Sequence, residues 1–194
     1  MQEAVSRILK LMIALMLIAL VTACANVAMS GAQVVYNHKG WEKSINDQYI
    51  GFQANHILNH PRFKDTNISV ATLNADVLLS GEAPLAWQKE QAGERIKDIA
   101  GVDHVYNMIT IASPSSAMTR VSDTWLTTKV KGKIIACADI DATHIKVVTE
   151  NGKVFLMGTL LPEEAEAAVD IASNTDGVTS VVKLFSYIKI TRTL

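Results

Sequence analysis

The chain has 194 residues, of which 49% are apolar, and its 18 basic and 19 acidic residues give a formal net charge of −1. This balance excludes a global electrostatic attraction to nucleic acid or to another polyanion, so a basic binding site has to be local. The length suits one ordinary domain or two small ones.

The N-terminus predicts a signal peptide. Arg7 and Lys10 precede an unbroken apolar run from Leu11 to Val21. A run of ~11 residues is too short to span a bilayer, which takes ~20, but it suits the apolar region of a signal peptide. We therefore expect residues 1–23 to be removed, which leaves 16 basic and 18 acidic residues and a net charge of 16 − 18 = −2.

The cleavage site predicts a lipid anchor. Val21-Thr22-Ala23-Cys24 resembles the bacterial lipobox, in which the cysteine becomes the acylated first residue of the mature lipoprotein. An ordinary secretory signal beside a chance cysteine is the alternative. Ala25 in place of aspartate resembles the pattern of Gram-negative lipoproteins sorted to the outer membrane, here to its periplasmic face. Acylation of Cys24 leaves Cys137 without a disulfide partner.

The rest of the chain is a tandem repeat. The segment Ile68–Gly81 recurs 77 residues later as Ile145–Gly158, with seven of 14 positions identical, and Asp47 returns as Asp123 at a spacing of 76. Each copy is long enough for a core of its own, so the repeat predicts two small domains rather than a solenoid. The predicted segments are a tether at 24–43, a first domain at 44–112, a linker at 113–119 and a second domain at 120–191.

Each copy begins with a predicted amphipathic helix. Apolar residues recur at three- and four-residue spacing, which gives each helix one buried side. The positions are Ile50, Ala54, Ile57 and Leu58 in the first copy, and Leu126, Val130, Ile134 and Cys137 in the second. Two strands follow, joined in the second copy by Asn151-Gly152, a strong signal for a tight hairpin. The first copy has Ala75 in place of that glycine.

A second helix and a last strand complete each copy. Pro84 and Pro162 mark the starts of these helices, and Gly101 and Gly177 mark their ends. The final strands are predicted over 102–111 and 178–190. The order is α-β-β-α-β, twice, and it predicts an α+β fold with the helices on one face of each small sheet.

Two short motifs carry a family resemblance. A V-x-L-x-G strand occurs at 77–81 and 154–158, and a G-V-x-x-V entry to the last strand occurs at 101–105 and 177–181. Units of this kind resemble the BON domain, and two of them behind a lipobox resemble the dual-BON outer-membrane lipoproteins. The resemblance implies a protein that binds an anionic, phosphatidylglycerol-like membrane through its second domain, supports outer-membrane integrity and gathers at the division site. Outer-membrane assembly proteins are the alternative class of partner.

The residues of the second domain give this implication a physical form. On a wheel of 100° per residue, a helix over Thr124–Ala138 turns Trp125 away from the core side. The predicted phospholipid-binding residues on or beside its outer face are Trp125, Thr128, Lys129, Lys131, Gly132, Lys133, Ile135 and Ala136. An indole at headgroup depth with lysines near phosphates suits a membrane interface. The three lysines are together worth roughly 3 kcal/mol near an anionic surface, which is a weak contact.

The first copy lacks this charge. At a shift of 76, Trp125 corresponds to Tyr49, and the three lysines correspond to Gln53, Asn55 and Ile57. The asymmetry favours a division of labour in which the second domain alone meets lipid. Two alternatives stay open. Trp125 packs against the other domain or the linker, or the face docks onto an envelope assembly machine while the acyl chain supplies all membrane affinity.

Nothing in the sequence indicates catalysis. The one histidine pair at helical spacing, His56 and His60, lacks a hydrolase motif or a cysteine ligand, so neither a metal nor another cofactor is expected. Glu163, Glu164 and Glu166 open a helix, where acids complement the helix dipole. Cys137 falls on the core side and is expected to be an inert thiol. We therefore predict a non-enzymatic binding protein without nucleic-acid partners.

Overall fold

The structure, a computed structural model, describes the backbone of residues 38–188 and the side chains of residues 45–188. The predicted signal peptide, Cys24 and most of the predicted tether lie outside these described residues. Within them, helices and short strands follow one another in the same order twice.

We call the first copy of the repeat the first domain and the second copy the second domain. The first domain contains α1 (His38–Leu58), β1 (Asn67–Leu73), β2 (Asp76–Ala83), α2 (Ala86–Lys97), β3 (His104–Asn107) and β4 (Thr110–Ile111). The second domain contains α3 (Ala117–Ile135), β5 (Ile145–Glu150), β6 (Lys153–Leu160), α4 (Pro162–Ser173) and β7 (Ser180–Tyr187).

Each domain has a small mixed sheet. In the first, β1 pairs antiparallel with β2, and β3 and β4 run parallel to β2. In the second, the order is β5-β6-β7, with β5 antiparallel and β7 parallel to β6. The predicted α-β-β-α-β order and the α+β class are confirmed in both copies. The last strand of the first domain is interrupted where the Met108 N–H donates to the Leu79 carbonyl at 2.8 Å.

Two helices begin earlier than the sequence predicted. α1 begins at His38, inside the range assigned to the tether, and α3 begins at Ala117, inside the range assigned to the linker. Ser116 caps α3, because its hydroxyl oxygen accepts a hydrogen bond from the backbone N–H of Thr119 at 3.1 Å. α3 ends at Ile135, before its predicted end. The apolar core positions start well inside α3, so periodicity gave no signal for its first turns.

The predicted buried sides of the two long helices are confirmed. Ile50 and Ala54 are buried in the first domain, as are Leu126, Val130 and Ile134 in the second. The remaining predicted positions, Ile57, Leu58 and Cys137, are partly buried and pack against the same cores.

An aspartate on the first helix of each domain closes the hairpin turn. In the second domain the turn is Asn151-Gly152, as predicted, with φ angles of 50° and 74°. The carboxylate of Asp123 on α3 accepts hydrogen bonds from both turn N–H groups, at 2.8 Å from Asn151 and 2.9 Å from Gly152. The two bonds fix α3 to the hairpin and satisfy backbone donors at the turn.

The first domain uses the same device with a more strained residue. Asp47 on α1 accepts hydrogen bonds from the N–H groups of Asn74 and Ala75, at 2.8 and 2.7 Å. Ala75 has a φ of 72°, in the left-handed region that favours glycine. Its side chain is buried in the core of the domain, so packing offsets the strained backbone.

The two sheets pack face to face between outer layers of helices. On the outer side of each sheet, helices and strands enclose a separate apolar core. On the inner side, a third cluster joins the domains through Ala71, Leu78, Phe155, Met157 and Leu184. The described body therefore has four layers, α-β-β-α, with α1 and α3 in opposite outer layers.

Candidate functional site

The outer face of α3 carries an exposed apolar stripe along the length of the helix. Trp125 is 66% exposed and Ile135 is 62% exposed, and the exposed Met118 and Val121 continue the same side toward the start of the helix. On the helical wheel, these four residues fall within about 100°. We call them the α3 stripe. Soluble proteins rarely leave so continuous an apolar surface uncovered, so the stripe is a candidate surface for contact with another molecule or a membrane.

Most residues predicted for lipid contact lie on this face. Thr128 and Gly132 are exposed between Trp125 and Ile135, and Ala136 is exposed at the C-terminal cap of the helix. Apart from the adjacent residues and the backbone of α3 itself, no atom lies within 4 Å of the place that a Cβ on Gly132 would take, so the surface is open there. About two thirds of the surface of Trp125 is exposed, so most of the indole is available to another molecule or to a membrane.

The three predicted lysines differ in their surroundings. Lys129 is half-buried, and its Nζ donates to the backbone oxygen of Asp176 at 2.8 Å. The Nζ of Lys133 donates to the backbone oxygen of Asn174 at 3.4 Å. Both carbonyls follow the C-terminal end of α4, where the helix dipole favours a cation. Lys131 is exposed and has no hydrogen-bond partner among residues 45–188.

These contacts give two of the three lysines a structural role. Lys129 and Lys133 hold α3 to the end of α4 as well as adding positive charge to the face. An ammonium has three N–H donors, so each of the two retains donors for a phosphate oxygen. On the helical wheel, Lys131 lies on the opposite flank of the α3 stripe from the other two. The stripe therefore has cations on both sides.

Sequence reasoning missed the N-terminal part of the stripe. Met118 and Val121 precede the start that periodicity predicted for the helix. The available signal was Ser116, a favourable N-cap residue that directly follows a proline and a serine. Arg120 adds a further cation in this region, and its Nη1 donates to the carbonyl oxygen of Ser115 at 2.6 Å.

α1 carries a shorter stripe at equivalent positions. Ile45, Tyr49 and Phe52 are exposed, and Phe52 is the most exposed of them at 72%. At the repeat shift of 76, Ile45 and Tyr49 correspond to Val121 and Trp125. The described side chains of α1 include no lysine or arginine. Apolar exposure is thus common to both copies, whereas among the described side chains of the two helices the cationic flanks belong to α3.

The described residues give other chemistry little support. Within residues 45–188, no group of three or more His, Cys, Asp or Glu side chains is placed to hold a metal ion. His60 has a local role, because its Nδ1 accepts a hydrogen bond from the backbone N–H of Arg62 at 3.3 Å. Cys137 is a free, partly buried thiol. None of the described helices is both long and apolar enough to cross a membrane.

Comparison with known families and proteins agrees with the repeat. The family model of the BON domain matches residues 54–113 and 122–189. The outer membrane lipoprotein DolP of Haemophilus influenzae is 36% identical over 160 residues, which cover 81% of this chain and 82% of that protein. The 21 kDa hemolysin of Actinobacillus pleuropneumoniae is 37% identical over 126 residues, 65% of each chain. The osmotically-inducible protein Y of Escherichia coli is 34% identical over 128 residues, 64% of each chain. None of these names is that of an enzyme.

Proposed function

Because the chain belongs to the BON-domain family, we propose that it is a lipoprotein of the bacterial envelope that binds anionic phospholipid through the outer face of α3. Cys24 carries the acyl anchor at the periplasmic face of the outer membrane. In this role the protein supports outer-membrane integrity, with the division site as a place where it gathers. The observation that carries the proposal is the α3 stripe, an exposed apolar ridge with lysines on both flanks.

The α3 stripe has the composition of a helix that lies at a membrane interface. Trp125 is suited to headgroup depth, and Met118, Val121 and Ile135 are suited to the boundary with the acyl chains. The flanking lysines meet phosphates, and each is worth about 1 kcal/mol near an anionic surface. The face therefore favours an anionic lipid of the phosphatidylglycerol class over a neutral one.

A weak site is sufficient because the acyl chains hold the protein at the surface. Two acyl chains together are enough for stable attachment, so the acylated Cys24 does not need the α3 face as an anchor. The α3 face then determines which side of the second domain meets the membrane. The similarity to an outer membrane lipoprotein of Haemophilus influenzae supports both the anchor and the location.

Vesicle binding by a chain without its lipid anchor tests the proposal. Residues 24–194 carrying Cys24→Ser are mixed with vesicles of phosphatidylglycerol or phosphatidylcholine, and the bound fraction is measured after flotation. We expect binding to the anionic vesicles that weakens as salt rises. Trp125→Ala should weaken this binding about tenfold, equivalent to ~1.4 kcal/mol. The matched change Tyr49→Ala on α1 should leave it unaltered.

The same assay separates the two candidate functions. Without any binding to anionic vesicles, the lipid proposal fails. That result would support the adaptor alternative, in which α3 docks onto an outer-membrane assembly protein and the acyl chain supplies all membrane affinity. If Trp125→Ala lowers the melting temperature but leaves vesicle affinity unaltered, Trp125 is a packing residue and the lipid site lies elsewhere.

Fractionation of cells tests the anchor itself. Cys24→Ser in the full-length chain removes the acylated residue, so the protein should leave the outer-membrane fraction. An uncleaved signal peptide would hold part of it at the inner membrane. Unchanged recovery in the outer membrane would contradict the lipoprotein assignment.

A further inference from the structure

A carboxylate of the first domain holds the linker that leads into α3. Glu82 lies on β2 and is only 2% exposed. Its Oε2 accepts hydrogen bonds from the side-chain amide of Asn67 at 3.0 Å and from the backbone N–H of Ser115 at 3.2 Å. Its Oε1 accepts a hydrogen bond from the side-chain amide of Asn151. One carboxylate thus joins a strand of the first domain, the linker and the hairpin turn of the second domain.

The carboxylate is charged and well satisfied. Burial raises the pKa of Glu82, but the hydrogen bonds from its amide, backbone and hydroxyl partners outweigh burial and lower the pKa below its usual 4.5. A buried charge is costly unless it is hydrogen-bonded, and charge-assisted hydrogen bonds are the stronger ones. Loss of the charge would therefore weaken the hold on the linker and on the hairpin turn together.

Both of these contacts lead to α3. Ser115 directly precedes Ser116, the N-cap residue of the helix. Asn151 belongs to the turn whose N–H groups are bound by Asp123, which lies on α3. Glu82 therefore fixes the N-terminal half of α3 from two sides. That half carries most of the α3 stripe.

The repeat shows that contact between the domains does not require a carboxylate. At the shift of 77, Glu82 corresponds to Thr159, and Asn151 corresponds to Asn74. The equivalent hydrogen bond is present, since the Asn74 side-chain amide donates to the Thr159 hydroxyl at 3.3 Å. A neutral hydroxyl is sufficient there. The charge at Glu82 coincides with the additional bond to the linker.

We propose that Glu82 is a positioning residue for the membrane-binding helix. The first domain, without touching lipid, holds the linker and the first turns of α3 so that the α3 stripe forms one continuous surface. This inference rests on the proposed function, because it gives the first domain a part in lipid binding by the second. Order imposed on a binding helix in advance raises affinity, since the entropy of ordering is not lost on binding.

Glu82→Gln tests the inference, because it retains the size of the side chain and removes its charge. In the unacylated Cys24→Ser chain, two quantities are measured: the Kd for phosphatidylglycerol vesicles and the rate of tryptic cleavage after Arg120. Arg120 lies in the first turn of α3, so cleavage there reports fraying of the helix start. We expect vesicle binding to weaken about three- to tenfold and cleavage to accelerate at least about threefold.

Thr159→Ala is the matched control. It removes the equivalent hydrogen bond between the domains and leaves the linker bond of Glu82 in place. Vesicle binding and cleavage after Arg120 should therefore match those of the parent chain. Asn151→Gly removes the amide that donates to Glu82, and glycine suits the left-handed backbone of the turn as asparagine does. It should shift both quantities in the direction of Glu82→Gln, by less, and it replaces Glu82→Gln if that variant does not fold.

The outcomes separate this inference from the proposed function. Unchanged cleavage after Arg120 in Glu82→Gln overturns the inference, whatever the lipid result. An equal loss of vesicle binding in Thr159→Ala also overturns it, because a loosened interface would then explain the effect. Failure of the parent chain to bind anionic vesicles counts against the proposed function. In that case the cleavage rates still decide whether Glu82 positions α3.

Discussion

α1 and α3 are the same element of the repeat, and they differ in charge rather than in apolar exposure. Tyr49 and Trp125 are both exposed, and so are Ile45 and Val121. Among the side chains of residues 45–188, only α3 has lysines on both flanks of its stripe. An exposed aromatic side chain on this helix is therefore a feature of the repeat, and by itself it does not assign a membrane-binding face. The cations distinguish the helix that we propose meets anionic lipid.

The largest loss of stability is expected when a charge is placed at a core position that the two helices share. Val130 and Ala54 are equivalent, and both are 0% exposed. Val130→Asp and Ala54→Asp each bury a charge without a partner, which should lower the free energy of unfolding by more than about 3 kcal/mol. Urea denaturation followed by circular dichroism measures this. A Val130→Asp variant with the wild-type midpoint would contradict the assigned core.

The second-largest loss of stability is expected when the aspartate that binds each hairpin turn, which we call the turn clamp, is removed. Asp123→Ala and Asp47→Ala each leave two turn N–H groups without their acceptor, so each should cost about 1–3 kcal/mol of stability. The exposed Asp139 offers a control, and Asp139→Ala should stay within about 0.5 kcal/mol of the parent. Thermal melts provide the comparison. A clamp that matters in one domain only would show that the copies do not share this device.

The turn residue itself distinguishes the copies. Gly152→Ala should cost about 1–2 kcal/mol, because an L-residue is strained in the left-handed region. An added Cβ there would also approach the Thr179 Cγ2 to 3.1 Å. Ala75→Gly relieves the equivalent strain but removes a buried methyl group, so its net effect should stay within about 0.5 kcal/mol. Equal destabilisation by both changes would contradict this balance of strain and packing.

A smaller effect depends on pH at the interface between the domains. Burial raises the pKa of Glu150 above its usual 4.5, and the charges of Glu82 and Asp123 add to the rise. The folded state thus binds the proton of the Glu150 carboxyl more tightly than the unfolded state does. The stability that this proton contributes is fully present below the usual pKa of the carboxyl and is lost as pH rises through its raised pKa. Glu150→Gln should therefore stabilise the protein at pH 7 by up to about 1 kcal/mol.

Measuring the stability of Glu150→Gln over a series of pH values provides an internal control. The gain from Glu150→Gln should vanish below the usual carboxyl pKa. The pKa shift of Glu82 has the opposite sign, because its hydrogen bonds lower the pKa. The stability that the charged Glu82 contributes is present above the usual carboxyl pKa and is lost as pH falls through the lowered pKa. Glu82→Gln should therefore destabilise the protein at neutral pH. A gain from Glu150→Gln that persists undiminished in acid would show that its cause is packing rather than charge.

The smallest effect on stability is expected at the free lysine of α3. Lys131→Gln should change the free energy of unfolding by less than about 0.5 kcal/mol while lowering the salt sensitivity of vesicle binding. Lys129→Gln also removes the bond to the Asp176 carbonyl, so it should lower the melting temperature slightly as well. Salt titration of vesicle binding beside thermal melts separates the two lysines. Identical behaviour would mean that the carbonyl contact contributes nothing.

The fold could be predicted because its local signals occur twice. Three- and four-residue spacing identified the buried side of each long helix, and Asn151-Gly152 identified the hairpin. The contact between the sheets was missed, although the continuous apolar run from Val154 to Met157 is typical of a strand buried on both faces.

The candidate site could be predicted only in part because several of its contacts are not local. Periodicity turned Trp125 outward without any knowledge of the rest of the chain. The bonds from Lys129 and Lys133 reach carbonyls 47 and 41 residues away, which no periodicity encodes. The equivalence of Asp47 and Asp123 was visible in the repeat, but their role depends on a turn that meets them only in the folded chain.

The contact between the two sheets relates equivalent positions to one another. Each hairpin asparagine, Asn74 or Asn151, donates to the same strand position of the other domain, and Leu78 and Phe155 occupy equivalent places in the shared cluster. An interface in which each side contributes the same patch is isologous, the arrangement of a symmetric homodimer. This chain has that symmetry within one polypeptide, and the covalent link allows its halves to differ. One half carries the cations of α3 and the other the carboxylate of Glu82, a division that two identical protomers could not have, because each would carry both features.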